Sequence, residues 1–115
     1  MSESLTVFCY NRCSTCRKAL AWLDADGIDY SVVDITLNPP TREQIKSAAN
    51  QLGDRKQLFN TSGKSYRSLG AAVVKAMTED EALDALAADG RLIKRPFVQR
   101  SNGGVLVGFK ADLWA

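Results

Sequence analysis

The sequence predicts a single α/β domain over residues 1–115, a four-stranded mixed sheet carrying a helical insert at about residues 41–90. Three observations lead there. Two β-rich runs bracket a helical pattern near the start, the middle of the chain holds two helix-start signatures, and a hairpin signal separates two β-rich runs near the end. A chain of 115 residues supports one hydrophobic core and is short for two domains of ordinary size.

Leu5-Thr6-Val7-Phe8-Cys9-Tyr10 is rich in β-formers, has no breaker, and reads as a buried strand. From Cys16 the pattern turns helical, with Cys16, Ala19, Leu20 and Leu23 on one stripe and Asp26-Gly27 as the stop. Residues 28–35, with Tyr30, Val32 and Val33, form a second strand, parallel to the first because a helix of about three turns lies between them. Asn38-Pro39-Pro40 breaks the chain, and Thr41-Arg42-Glu43-Gln44 then has capping-box spacing, starting a helix toward Leu52 that Gly53 ends. Residues 58–69 read as a loop turning at Asn60-Thr61-Ser62-Gly63, followed by a short helix around residues 66–69. Thr78-Glu79-Asp80-Glu81 is a second capping box, and the Ala- and Leu-rich run to Ala88 is a helix closed by Gly90. Arg95-Pro96 leads into Phe97-Val98-Gln99, Asn102-Gly103-Gly104 turns the chain into Val105-Leu106-Val107, and residues 112–114 form a short terminal helix. The order β-α-β, helical insert, β-β-α is that of a thioredoxin-like sheet.

Composition narrows the function classes. Apolar residues make up 45% and charged residues 24%, the balance of a soluble globular protein. A net charge of +2 with a pI near 8.5 gives no nucleic-acid footprint, so direct nucleic-acid binding is not expected. The start, Met1-Ser2-Glu3-Ser4, has no basic region, and no stretch approaches the ~20 apolar residues that span a bilayer. The expected setting is cytoplasmic, without membrane contact; structural disulfides are rare there, and paired cysteines serve catalysis, redox sensing or metal binding.

Cys13-Ser14-Thr15-Cys16 stands where the first strand gives way to the first helix. A thiol at a helix start lies next to unsatisfied backbone N–H groups and the positive end of the helix dipole, both of which favour the thiolate. Arg12 and Arg17 flank the pair and add to the effect. Cys13 is thus the candidate nucleophile, with a pKa expected below the free-thiol value. Cys16, one helical turn on, is the candidate resolver of a mixed disulfide or sulfenic acid formed at Cys13. The same two cysteines can also be read as small buried hydrophobes at a helix start. No metal site is expected, since zinc normally takes four Cys or His ligands and the chain has no histidine and only one further cysteine. That cysteine, Cys9, sits within the first strand and reads as buried and structural, separated by burial from solvent and from the other two.

The chain resembles the arsenate reductase (ArsC) family in its glutaredoxin-related branch, together with its relative Spx, a bacterial regulator that binds RNA polymerase. The resemblance is carried by five blocks in order: residues 11–20 (NRCSTCRKAL), 38–43 (NPPTRE), 66–70 (YRSLG), 92–96 (LIKRP) and 106–109 (LVGF). It implies a thioredoxin fold and a cis proline at Pro96 facing the active cysteine; by itself Pro96 reads equally as an ordinary strand-start proline. It also implies a catalytic trio of Cys13, Cys16 and Arg95, with Asn11, Arg12, Ser14, Thr15, Arg17, Asn60 and Pro96 around the substrate. Arsenate-reducing members hold the oxyanion with three arginines. Arg95 matches the one before the cis proline, whereas Asn60 and Gly108 occupy the other two places, with Lys64, Arg67 and Lys110 the cations nearby in sequence. Losing two bidentate-capable donors weakens oxyanion binding. Arg95 can also be read as a solvated surface arginine.

Two functions follow from the resemblance. One is a thiol-dependent oxidoreductase acting on a small oxyanion or a disulfide, with no bound cofactor and with glutathione, glutaredoxin or thioredoxin as reductant. The other is a redox-sensing regulator of the Spx kind that binds the RNA polymerase alpha subunit. Spx also ends its late strand in Gly followed by an aromatic, as Gly108-Phe109 does, and a glycine of its polymerase-binding surface falls one position from Gly53, which reads more simply as a helix C-cap.

Overall fold

The computed structural model describes residues 4–10, 14–61, 63–100 and 103–108. Strand β1 (Ser4–Cys9) lies inside a sheet of order β2-β1-β3-β4, beside parallel β2 (Asp29–Asp34) and antiparallel β3 (Phe97–Gln99), which in turn pairs antiparallel with β4 (Val105–Val107). This is the mixed four-stranded sheet that the sequence predicts. Helix α1 (Ser14–Ala25) links β1 to β2, and the insert holds α2 (Arg42–Leu52), α3 (Lys64–Leu69), α4 (Ala71–Ala76) and α5 (Glu79–Ala88).

The alternation of side chains along β1 explains why helices lie on both faces. Leu5, Val7 and Cys9 point into one cluster with Cys16 and Leu23 of α1 and Val98 of β3. Phe8 points the other way, edge-on to Phe97 with ring centroids 5.7 Å apart, into a larger cluster with Ile45 and Ala48 of α2 and Leu83 and Leu86 of α5. The sheet therefore separates two apolar layers.

Both capping boxes close as predicted. The Thr41 hydroxyl accepts from the Gln44 N–H at 3.1 Å while the Gln44 side chain accepts from the Thr41 N–H at 2.8 Å, and Thr78 and Glu81 repeat the pattern. Gly53 is the C-cap of α2 in the left-handed region, which is the plainer of its two readings. Gln51 reaches the hairpin, donating to the Gly103 carbonyl at 2.9 Å and accepting from the Val105 N–H at 2.9 Å.

Several boundaries differ from expectation. Helix α1 begins at Ser14 rather than Cys16, and α3 at Lys64, two residues ahead of Tyr66. The separate helix α4 follows α3 across Gly70, whose φ of +88° redirects the chain. Gly90 does not close α5: Asp89 caps it, and Gly90 opens a 3-10 turn (Gly90–Leu92) packed against the end of β2. The expected terminal helix at 112–114 lies outside the described residues.

Candidate functional site

Register places the candidate site at one end of the sheet. Phe8 pairs with Phe97, so continuing both strands brings the end of β1 level with Pro96 and Arg95. The Arg95–Pro96 peptide bond is cis, as the resemblance implied, and the Arg95 guanidinium carbon lies 5.5 Å from the centroid of the Tyr10 ring. Arg95 is half-buried and not a fully solvated surface arginine. The same end receives β4, because the Gly108 N–H donates to the Pro96 carbonyl at 2.9 Å.

Asn11, Arg12 and Cys13 lie outside the described residues. They fill the chain between Tyr10 and Ser14, where β1 has ended and α1 begins. Ser14, Thr15 and Arg17 are exposed on the first turn of α1, whereas Cys16 is only 1% exposed and packs under the helix. Cys9 is buried as expected, yet its expected separation from the other cysteines fails for Cys16. Both belong to the same apolar cluster and both line a cleft of about 320 Å3 with Tyr10, Arg17 and Asp34. The reason is pleat: residue 9 falls on the α1 face of β1.

Asn60 lies in the insert, between the 3-10 turn at Arg55–Leu58 and α3. Its N–H donates to the Leu92 carbonyl at 2.8 Å beside an antiparallel bridge between Phe59 and Ile93, and its side chain stands against Gly63. Gly108 has φ +73°, and a Cβ built there would lie 3.0 Å from Cε of Lys94. A side chain at position 108 would displace the end of the flexible Lys94 side chain and would sit on a left-handed backbone.

Three features went unread in the sequence. Tyr10 is the platform under Arg95; the alternation Thr6, Phe8, Tyr10 along β1 carried that signal. Lys94 beside Gly108 had none. The third is a larger cleft of about 770 Å3 on the insert side of Tyr10, lined by Lys64, Ser65, Ser68, Asp89 and Arg91; the long sequence separations involved gave no local signal. Among the described residues, no group of three or more His, Cys, Asp or Glu side chains could hold a metal ion, and no helix is long and apolar enough to cross a membrane.

With this geometry in view, likeness to known proteins is informative. The family model described as the ArsC family matches residues 8–115. A Bacillus subtilis protein named YusI is 44% identical over 95% of this chain and 93% of its own length. A Streptococcus mutans protein whose crystal structure is described as that of a "possible arsenate reductase" superposes with a TM-score of 0.87 at 41% identity, covering 96% of this chain and 98% of that one. The global transcriptional regulator Spx of Streptococcus pyogenes is 26% identical over 94% of this chain and 80% of its own length.

Proposed function

This chain belongs to the ArsC family, and we propose that within it the protein is a thiol-dependent oxidoreductase of the cytoplasm, acting through a Cys13 thiolate. The observation that supports this best is the convergence at one end of the sheet. Helix α1 starts directly after Cys13, and the end of β1 lies level with Arg95 and the cis proline. A thiol directly ahead of a helix of 12 residues feels the dipole of that helix, and Arg12, Arg17 and Arg95 add positive charge in its vicinity.

The chemistry is two successive displacements. The Cys13 thiolate attacks one sulfur of a disulfide substrate, so that a Cys13–sulfur bond forms, the substrate S–S bond breaks and one thiolate leaves. Cys16, after losing its proton, attacks the Cys13 sulfur, expels the second thiolate and leaves a Cys13–Cys16 disulfide. Glutathione, glutaredoxin or thioredoxin returns two electrons. Asn11, Arg12, Ser14, Thr15 and Arg17 surround the thiolate in this reading, with Pro96 opposite and Asn60 at the insert.

Arsenate fits less well than a disulfide. Only Arg95 remains of the three arginines, and Gly108 holds a left-handed φ of +73° that an arginine would adopt only with strain. Alkylation of single-cysteine variants across pH tests the thiolate: Cys13 should titrate below about 8.5, the free-thiol value, and a midpoint above it counts against the assignment. Mass mapping after mild peroxide should find Cys13–Cys16, and a disulfide containing Cys9 as the main product would overturn the roles given.

A second reading, a redox-sensing regulator bound to the RNA polymerase alpha subunit, draws on the likeness to Spx. Redox-dependent retention by the alpha subunit, together with no turnover of arsenate or disulfides in the presence of glutathione and glutaredoxin, selects it.

A further inference from the structure

The cleft on the insert side of Tyr10 adjoins the proposed thiol site and has a different character. Tyr10 forms one wall and carries Arg95 over its ring, so the cleft opens beside the end of β1. The other walls come from α3, α5 and the 3-10 turn after it, and offer two cations, Lys64 and Arg91, two hydroxyls, Ser65 and Ser68, and one carboxylate, Asp89. At about 770 Å3 it falls within the roughly 300–1,000 Å3 typical of small-molecule sites.

Its charge is available to a ligand. Neither Lys64 nor Arg91 belongs to a salt bridge among the described residues. Two acids face Arg91. The Asp89 carboxylate accepts from the Arg91 backbone N–H at 2.9 Å, as an N-cap. The Asp34 carboxyl is held below its ordinary range chiefly by hydrogen bonds from Thr36, the Arg91 charge contributing least. Both acids thus have backbone or hydroxyl donors of their own, and the two cations with the serine hydroxyls present donors suited to carboxylates.

We infer that this cleft is a subsite for the carboxylates of a small anionic thiol or disulfide, holding it by Lys64, Arg91, Ser65 and Ser68 while its sulfur reaches toward the end of β1. The inference rests on the oxidoreductase reading for what the ligand does. Binding itself is independent of that reading. A neutral thiol gains nothing from the cleft, so the subsite selects charged over uncharged reductants of the same reactivity.

Two measurements on the full chain separate the cleft from the thiol chemistry. In the first, S-methylglutathione, which cannot exchange, is titrated into the protein while the backbone amides of Ser65, Ser68 and Arg91 are followed by NMR. Saturable shifts in the parent that vanish in Lys64→Ala/Arg91→Ala support the subsite; no shift at these amides in the parent, or shifts that persist in the variant, overturn it. In the second, Cys13 is reacted with oxidised glutathione and with the neutral bis(2-hydroxyethyl) disulfide. The double variant should lose about tenfold with the anionic disulfide, equivalent to about 1.4 kcal/mol, and nothing with the neutral one. Equal loss with both, or loss with neither, overturns the subsite. If Cys13 reacts with neither disulfide even in the parent, the oxidoreductase reading fails, and the titration alone decides the cleft.

Discussion

Tyr10 and Gly90 show what single residues decide here. Tyr10 supports the Arg95 guanidinium and separates two clefts, one lined by both buried cysteines and one by Lys64 and Arg91. Arg95→Ala should therefore cost only about 0.5–1 kcal/mol of stability, the range for a partly exposed cation over a ring. The same change should slow alkylation of Cys13 by an anionic reagent more than by a neutral one; parental rates with both, alongside a large fall in thermal midpoint, would make Arg95 purely structural. Gly90 has no room at all, since an added Cβ would come 1.7 Å from the Ile35 carbonyl oxygen. That oxygen is backbone and cannot rotate away, so Gly90→Ala should cost about 3 kcal/mol or more, toward the upper end of overpacking. Gly53→Ala meets open space and bears only the penalty of its left-handed φ, roughly 1–2 kcal/mol. Urea midpoints of the two variants compare them directly, and equal losses would refute the clash. The sequence made Gly90 look like a helix terminator because close backbone approach between residues 35 and 90 is a tertiary fact with no local signal. The reading of Cys13, by contrast, rests on residue type and position, and Cys13 itself lies outside the described residues.

At the scale of elements, legibility followed local chemistry. Helices α2 and α5 announced themselves through Thr-x-x-Gln and Thr-x-x-Glu, and both boxes are closed in the fold. Helix α4 carries no local start signal, since Gly70 precedes it and no side chain caps it; burial of Val74 helps hold it in place. The boxes make a quantitative statement. Thr78→Ala removes the acceptor for the Glu81 N–H and should cost about 1 kcal/mol, whereas Thr78→Ser should keep most of it. Denaturant titration of the three proteins checks this. A serine variant as unstable as the alanine one would mean that the methyl group, and not the cap, matters.

The whole molecule is two apolar layers divided by one sheet, and this division has a consequence for thiol access. Cys16 lies in the α1 layer with Leu23, whereas Ile45 lies in the α2–α5 layer across the sheet. Both side chains are fully enclosed, Leu23 at 0% and Ile45 at 1% exposure, so truncating either to alanine should cost about 2–5 kcal/mol of global stability. Their effects on Cys16 should differ. Cys16 is 1% exposed, so reagents have little access to it while α1 stays packed on the sheet. Local openings are set by the contacts of the element that moves, and need not follow global stability. Leu23→Ala should therefore speed alkylation of Cys16, and amide exchange along α1, well beyond any change in α5. Ile45→Ala should weaken the fold comparably and leave Cys16 protected until the chain unfolds as a whole. Alkylation under native conditions, read by mass in a Cys13→Ser background, gives both rates. Equal acceleration in the two variants would show that the layers open as one cooperative unit, and the resolving role of Cys16 would then have to operate without independent motion of α1.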